Sequence, residues 1–122
     1  MKVLTTADAS LAPLKDRKVA VIGYGAQGRA QAQCFVDSGL DVVVGVREGG
    51  SSWDVVKEDG LEVAAIAAAA EAADIIHILI PDEVQKTVYA EHIERFVTPG
   101  KTLSFSHGFN VLFKYITPPE GV

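Results

Sequence analysis

The chain has 122 residues, 48% hydrophobic and 22% charged, with a formal net charge of −5; this is the size of one domain that can bury a core without disulfides or a metal. The acidic balance argues against nucleic acid or an anionic membrane as the main partner, since both select clustered Lys and Arg. A lone cysteine, Cys34, excludes an intrachain disulfide, Met1–Ala12 lacks the apolar run of a signal peptide, and no stretch is apolar for the roughly 18 residues of a membrane span. A cytoplasmic domain over 1–122 is therefore expected.

Residues 1–17 are mixed in character and read as an arm or short helix. Lys18–Ile22 (KVAVI) is a β-branched run ending at glycine, the pattern of a buried strand. The segment from Arg29 to Ser38 lacks Gly and Pro and predicts a helix stopped by Gly39. Ala26, Ala30 and Cys34 recur every four residues, so they are expected on one buried face with Cys34 as a small core residue. Asp41–Val46 (DVVVGV) predicts a second strand. A Gly- and Ser-rich loop follows, and Ser52 is placed to cap a helix from Trp53 to about Asp59. Leu61–Ala64 predicts a short third strand, and Ala65–Ala73 is alanine-rich enough to be helical on propensity. Asp74–Ile80 (DIIHILI) predicts a fourth strand, stopped by Pro81. Asp82–Val97 predicts one helix with Val84, Val88, Ile93 and Phe96 along its apolar stripe. After the turn at Pro99-Gly100, Lys101–Ser106 predicts a fifth strand, and 108–122 has room for a short helix. This alternation implies an α/β, Rossmann-like fold: a doubly wound parallel sheet in a three-layer α/β/α domain.

Gly23, Gly25 and Gly28 form G-Y-G-A-Q-G directly after a strand pattern and at the start of a helix. In that context the first glycine allows the tight turn. The second lets backbone approach a pyrophosphate, and the third lets the helix lie close to the strand. The helix N-terminus adds unpaired N–H groups and positive potential. About 20 positions past the first glycine, an acidic residue would hold the ribose 2′-OH of NAD. Gly45, Val46 and Arg47 stand there instead. Arg47 with the Ser51 and Ser52 hydroxyls suits the 2′-phosphate of NADP, because a guanidinium binds phosphate through two parallel bonds. Glu48 could turn to a ribose diol, so NAD stays open.

Strands four and five end at Ile80-Pro81-Asp82 and Ser106-His107-Gly108, facing the crevice where such sheets bind ligands. His107 is the best-placed titratable group, read either as a proton relay or as a histidine that shapes a turn. His77, inside strand four, reads as a hydrogen-bonded core histidine, and His92 as an exposed one. Asp54 and Glu58 lie one turn apart but far from the crevice, so no metal ligands are assigned. Trp53 reads as a packing anchor or a neighbour of the adenine.

The strings KVAVIGYGAQG, DSGLDVVVGVREGGSSW, ADIIHILIPDEVQ and SFSHGFN, in this order and spacing, resemble ketol-acid reductoisomerase from about Asp8 to Pro119. That family isomerises an acetohydroxy acid by alkyl migration and reduces the product with NADPH, using magnesium, in valine and isoleucine biosynthesis. The resemblance implies that Tyr24, Gly25, Ala26 and Gln27 lie along the pyrophosphate. It implies that Arg47, Ser52 and Ser51 hold the 2′-phosphate, that Pro81, Asp82 and Gln85 line the cleft, and that His107 is the active-site histidine. The family's magnesium carboxylates belong to a helical carboxy-terminal domain, so this chain alone is expected to bind cofactor without completing catalysis. A homo-oligomer or a complementary carboxy-terminal domain is the partner this implies, besides the dinucleotide and the acetohydroxy acid. The sequence departs from the family at Gln31, usually histidine, at His77, usually apolar, and over Leu112–Tyr115. The alternatives are a stand-alone dinucleotide-binding module without catalysis and a self-associating module.

Overall fold

The computed structural model describes residues 1–122. Five parallel strands form one sheet in the order β3-β2-β1-β4-β5, with β1 Lys18–Ile22, β2 Asp41–Val46, β3 Glu62–Ala65, β4 Ile75–Ile78 and β5 Thr102–Phe105. The chain leaves β1 for one edge and returns to β4 for the other. The reversal of strand order therefore falls between β1 and β4, where the carboxyl ends of the strands part to form a crevice. Residues 1–17 lie outside the sheet, with one 3-10 turn at Ala12–Leu14.

Strand alternation divides the core into two layers. Val19, Val21, Val42, Val44 and Val46 face the layer covered by α1 (Ala26–Asp37) and α2 (Ser51–Glu58). Ala20, Ile22, Val43, Ile76 and Ile78 face α3 (Ile66–Ala72) and the segment that follows α4 (Asp82–Val88). The alanines of α3 permit a close approach: Ala69 and Ala70 are fully buried. A Cβ on Gly45 in β2 would come within 2.7 Å of the Ile22 side chain and 3.0 Å of Ala69 Cβ.

Three expectations are corrected. Helix α1 turns Gly28 and Ala32, not Ala26, Ala30 and Cys34, toward the sheet, and Cys34 is exposed. A row of small residues at i, i+4 fits either face of a helix. Gly28 settles the choice, because only a residue without a Cβ can touch the strand there, and the 26/30/34 row lies about 200° away. The second correction is that Ser52 caps nothing. Helix α2 starts at Ser51 with Gly50 as its N-cap and no side-chain cap bond, so both serine hydroxyls stay free. The third is that the long helix from Asp82 is not uniform. It is α-helical to Val88, passes through a π-helical turn at Tyr89–Ile93, and ends in a 3-10 turn at Glu94–Phe96. Its buried row is Gln85, Tyr89, Ile93 and Val97, while Val84 is exposed. The wider i→i+5 turn keeps that row, spaced by four, against the core, and the row includes a glutamine that hydropathy would place outside.

Candidate functional site

The turn from β1 into α1 lies at the head of the crevice. Gly23 has φ +102°, and a Cβ there would sit 2.8 Å from the Ile80 side chain and 3.0 Å from the Leu79 carbonyl oxygen. A Cβ on Gly28 would fall 2.3 Å from the carbonyl oxygen of Gly23. Both glycines are therefore demanded by the chain's own packing. Gly25, the N-cap of α1, differs: a Cβ there would meet nothing within 4 Å. The chain leaves open the space beside Gly25, on which the first N–H groups of a twelve-residue helix open.

A cavity of about 570 Å³ lies on the β2 side of this turn, lined by Arg47, Glu48, Ser51, Ser52, Ile66 and His92 among others. Its floor is Gly45 and Val46, the end of β2. Arg47, Ser51 and Ser52 thus come together as the sequence implied, and none of the three side chains is bonded within the chain. Glu48 shares the same rim, also unpaired. His92 is exposed, as the sequence implies, and it also stands at this mouth. It is 45 residues from Arg47 in sequence, and only the fold of α3 and the π-helical turn brings the two sides of the cavity together. Tyr24 lines this cavity too, yet its phenol is buried and donates a 2.7 Å hydrogen bond to Asp59 Oδ2. Arg29 holds the same carboxylate through two bonds, of 2.7 and 2.8 Å. Those contacts, Arg29 first and Tyr24 second, hold the Asp59 carboxyl below the usual carboxylate range. The Tyr24 ring therefore locks α1 to the end of α2. Trp53 is half-buried against the same core layer, with Lys57 Nζ 5.7 Å from its ring. Asp54 and Glu58 stand on the solvent face of α2.

A second cavity of about 430 Å³ lies on the β4 side, lined by Gly25, Ala26, Gln27, Pro81, Asp82 and His107, with Gln85 beneath. Two loops meet here, one after β4 and one after β5, and a buried amide pair joins them. The Gln85 Nε2 donates to the Ile80 carbonyl at 2.8 Å and to Asp82 Oδ1 at 3.1 Å. Asn110, 1% exposed, donates to the Asp82 carbonyl and to Gln85 Oε1, each at 3.0 Å. Asn110 has no role readable from sequence, although it lies in the SHGFN string; its side-chain partner Gln85 is 25 positions away, and nothing local marks it. His107 stands at the rim with its side chain 72% exposed. Its Nδ1 is 3.3 Å from the Phe109 N–H and 3.3 Å from Asp82 Oδ2. These two contacts exclude each other: the amide needs a bare Nδ1 and the carboxylate needs a protonated one. Nδ1 thus has a partner in either tautomer, and Nε2 has none within the chain.

His77 is buried in β4 between Val21 and Ser104 and touches the Phe35 ring. Its Nδ1 lies 2.9 Å from Ser104 Oγ and its Nε2 lies 2.9 Å from Gln31 Oε1. Burial lowers its pKa, against a smaller raising effect of the Ser104 backbone. It is a satisfied core histidine.

Comparison with known proteins gives this geometry a family. The pattern of the acetohydroxy acid isomeroreductase NADPH-binding domain matches residues 13–122. The chain belongs to this family. It is 57% identical over 121 residues to the ketol-acid reductoisomerase (NADP(+)) of Methanopyrus kandleri, covering 99% of this chain and 37% of that protein. The Methanocaldococcus jannaschii enzyme of the same name is 54% identical over 122 residues, again with 37% of its length covered. The chain thus spans little more than a third of these family members. Among solved structures, a NADH-preferring ketol-acid reductoisomerase from an uncultured archean superposes with a TM-score of 0.94 at 50% identity, covering 100% of this chain and 38% of that one. Plasmodium falciparum pyrroline carboxylate reductase with NADP bound, at 15% identity and a TM-score of 0.61 over 75% of this chain, shares the fold. No helix of the chain is long and apolar enough to cross a membrane.

Proposed function

We propose that this family domain binds NADPH across the crevice, with the adenosine half in the Arg47 cavity and the nicotinamide half in the His107 cavity. The observation that carries the reading is Gly25. The chain's own packing requires Gly23 and Gly28, but Gly25 borders only open space at the His107 cavity, two residues past the turn that lines the Arg47 cavity. The residues fit the dinucleotide. Both cavities fall within the size range of small-molecule sites, and the glycine turn opens on unpaired N–H groups. Gly23, Tyr24 and Gly28 serve through the backbone they shape, and Gly25, Ala26 and Gln27 border the pyrophosphate. Arg47, Ser51 and Ser52 hold the 2′-phosphate, as unpaired donors at one rim would. Pro81, Asp82 and Gln85 form the wall below the nicotinamide.

When bound, NADPH supplies the hydride for a reduction. His107 holds a proton at that end, either shared with Asp82 or released so that Nδ1 accepts from Phe109. Turnover on an acetohydroxy acid, with magnesium, belongs in this reading to the complete polypeptide of the family, in the cytoplasm. The surface around α5 (Phe109–Leu112) supports a further body of protein: Leu112, Phe113 and Tyr115 are 74%, 59% and 48% exposed. We assign that apolar face to docking against the part of the family polypeptide that lies outside residues 1–122. Residues 1–122 act as one domain with 1–17 as an arm.

The test is a thermal-shift titration with NADPH and with NADH. NADPH at 100 times its Kd should stabilise the chain by about 2.7 kcal/mol, and the shift should vanish in an Arg47→Ala, Ser52→Ala variant. A shift with NADH that equals or exceeds that with NADPH would assign the rim to Glu48 and a ribose diol. No shift with either would overturn the site.

A further inference from the structure

Gln31 of α1 and His77 of β4 touch each other. His77 Nε2 faces Gln31 Oε1 at 2.9 Å, and Gln31 Nε2 donates to Gln27 Oε1 at 3.3 Å, one helical turn back along α1. On the other side of the ring, Nδ1 meets the Ser104 hydroxyl. The four side chains form one line from the interior of the sheet to the wall of the His107 cavity, which Gln27 lines.

The direction of such a line is set by chemistry. In the orientation Gln31 takes here, its carboxamide oxygen faces His77 Nε2 and only accepts, so Nε2 carries the hydrogen. A neutral imidazole then has a bare Nδ1, which accepts from the Ser104 hydroxyl. The next link follows the same sense, with Gln31 giving its NH2 group to Gln27 Oε1. Every donor points from Ser104 toward Gln27. At the last member the oxygen is occupied, and the NH2 group, with no partner in the chain, is left for the cavity. The opposite tautomer, with the hydrogen on Nδ1, would turn over both carboxamides and present the Gln27 oxygen instead. A free NH2 suits an anion, whereas a free oxygen would repel one.

We infer that His77, acting through Gln31, is a positioning residue that turns the Gln27 carboxamide so that its NH2 group faces the cofactor pyrophosphate. The inference rests on the dinucleotide reading above. It gives the buried His77 a role that reaches the cavity through α1.

The experiment is a double-mutant cycle read by calorimetry with two probes, NADPH and adenosine 2′-monophosphate, which lacks the pyrophosphate. His77→Leu and Gln31→Met should each weaken NADPH about tenfold, the scale of one hydrogen bond to a charged group. Both should leave adenosine 2′-monophosphate within about twofold. In a Gln27→Ala background neither change should cost more, because the group they position is gone. Gln31 lies on a partly exposed helix face, so its variant reports even where the core change at position 77 does not fold. Nitrogen-15 spectra of His77 should show the hydrogen on Nε2. An Nδ1–H tautomer, additive losses with Gln27→Ala, or equal losses for both probes would each overturn the inference while leaving wild-type NADPH binding intact. A wild type that binds neither probe would overturn the dinucleotide site itself.

Discussion

At one end of the crevice Arg47, Glu48, Ser51 and Ser52 reach the cavity with no hydrogen bond or ion pair to the rest of the chain. At the other end Asp82, Gln85, His107 and Asn110 are bonded to one another across loops from two different strands. The first end is a set of polar side chains unbonded within the chain. The second is part of the protein's framework and, in the reading proposed above, also part of the site. Substitutions should therefore separate cleanly: at the Arg47 end they cost binding alone, and at the His107 end they cost binding and stability together.

The glycine turn holds both behaviours within three residues and gives the largest expected effect. Gly28→Ala drives a Cβ into the Gly23 carbonyl and should lower unfolding free energy by on the order of 3 kcal/mol in urea titrations. Gly25→Ala should cost no more than the roughly 0.5–1 kcal/mol of an alanine at a helix N-cap and abolish the NADPH shift. Equal stability losses would mean that Gly25 also serves the chain. Asn110→Leu comes next. It strips the donor from Gln85 Oε1 and the Asp82 carbonyl, so about 2 kcal/mol should be lost, and dinucleotide affinity should fall with it. If Asn110→Leu spares stability, the contrast between the two ends fails. Arg47→Ala should change unfolding free energy by less than about 0.5 kcal/mol, as an unpaired surface side chain does, while NADPH affinity drops.

The smallest effect is a pH dependence. Burial lowers the His77 pKa from its ordinary 6.5. The unfolded chain therefore takes up a proton at His77 before the folded one does. Stability contributed by the neutral ring is complete above about pH 6.5 and declines as pH falls below it, until the folded ring also protonates. His77→Leu should flatten melting temperature against pH in that window, and a variant that keeps the wild-type slope would assign the dependence elsewhere.

Most of the fold was legible because its signals are local. The β-branched runs at Val19, Val42–Val44 and Ile75–Ile76 end at turn residues and alternate with helical segments, and a parallel sheet follows from that alternation. Arg47, Ser51 and Ser52 were legible for the same reason: they lie within six residues of one another at the end of a strand, a place that chain geometry makes part of the crevice. The errors came where a local pattern had two solutions. Ala26, Ala30 and Cys34 form an equally regular row, and only the contact of Gly28 with the Gly23 carbonyl decides against it. Val84 is the apolar neighbour, but Gln85 is the one buried, held by Ile80, Asp82 and Asn110.

The sequence by itself determined that the chain is a doubly wound α/β domain with a dinucleotide turn and a hydroxyl-rich loop headed by Arg47, since periodicity and glycine placement act over a few residues. Only the tertiary structure decided which side chains are free and which are tied. Tyr24 bonds to Asp59, Asn110 to Gln85 and His77 to Gln31 across 35, 25 and 46 positions. Hydrogen bonds are satisfied by whatever lies near in space, and strand order, not chain order, sets who the neighbours are.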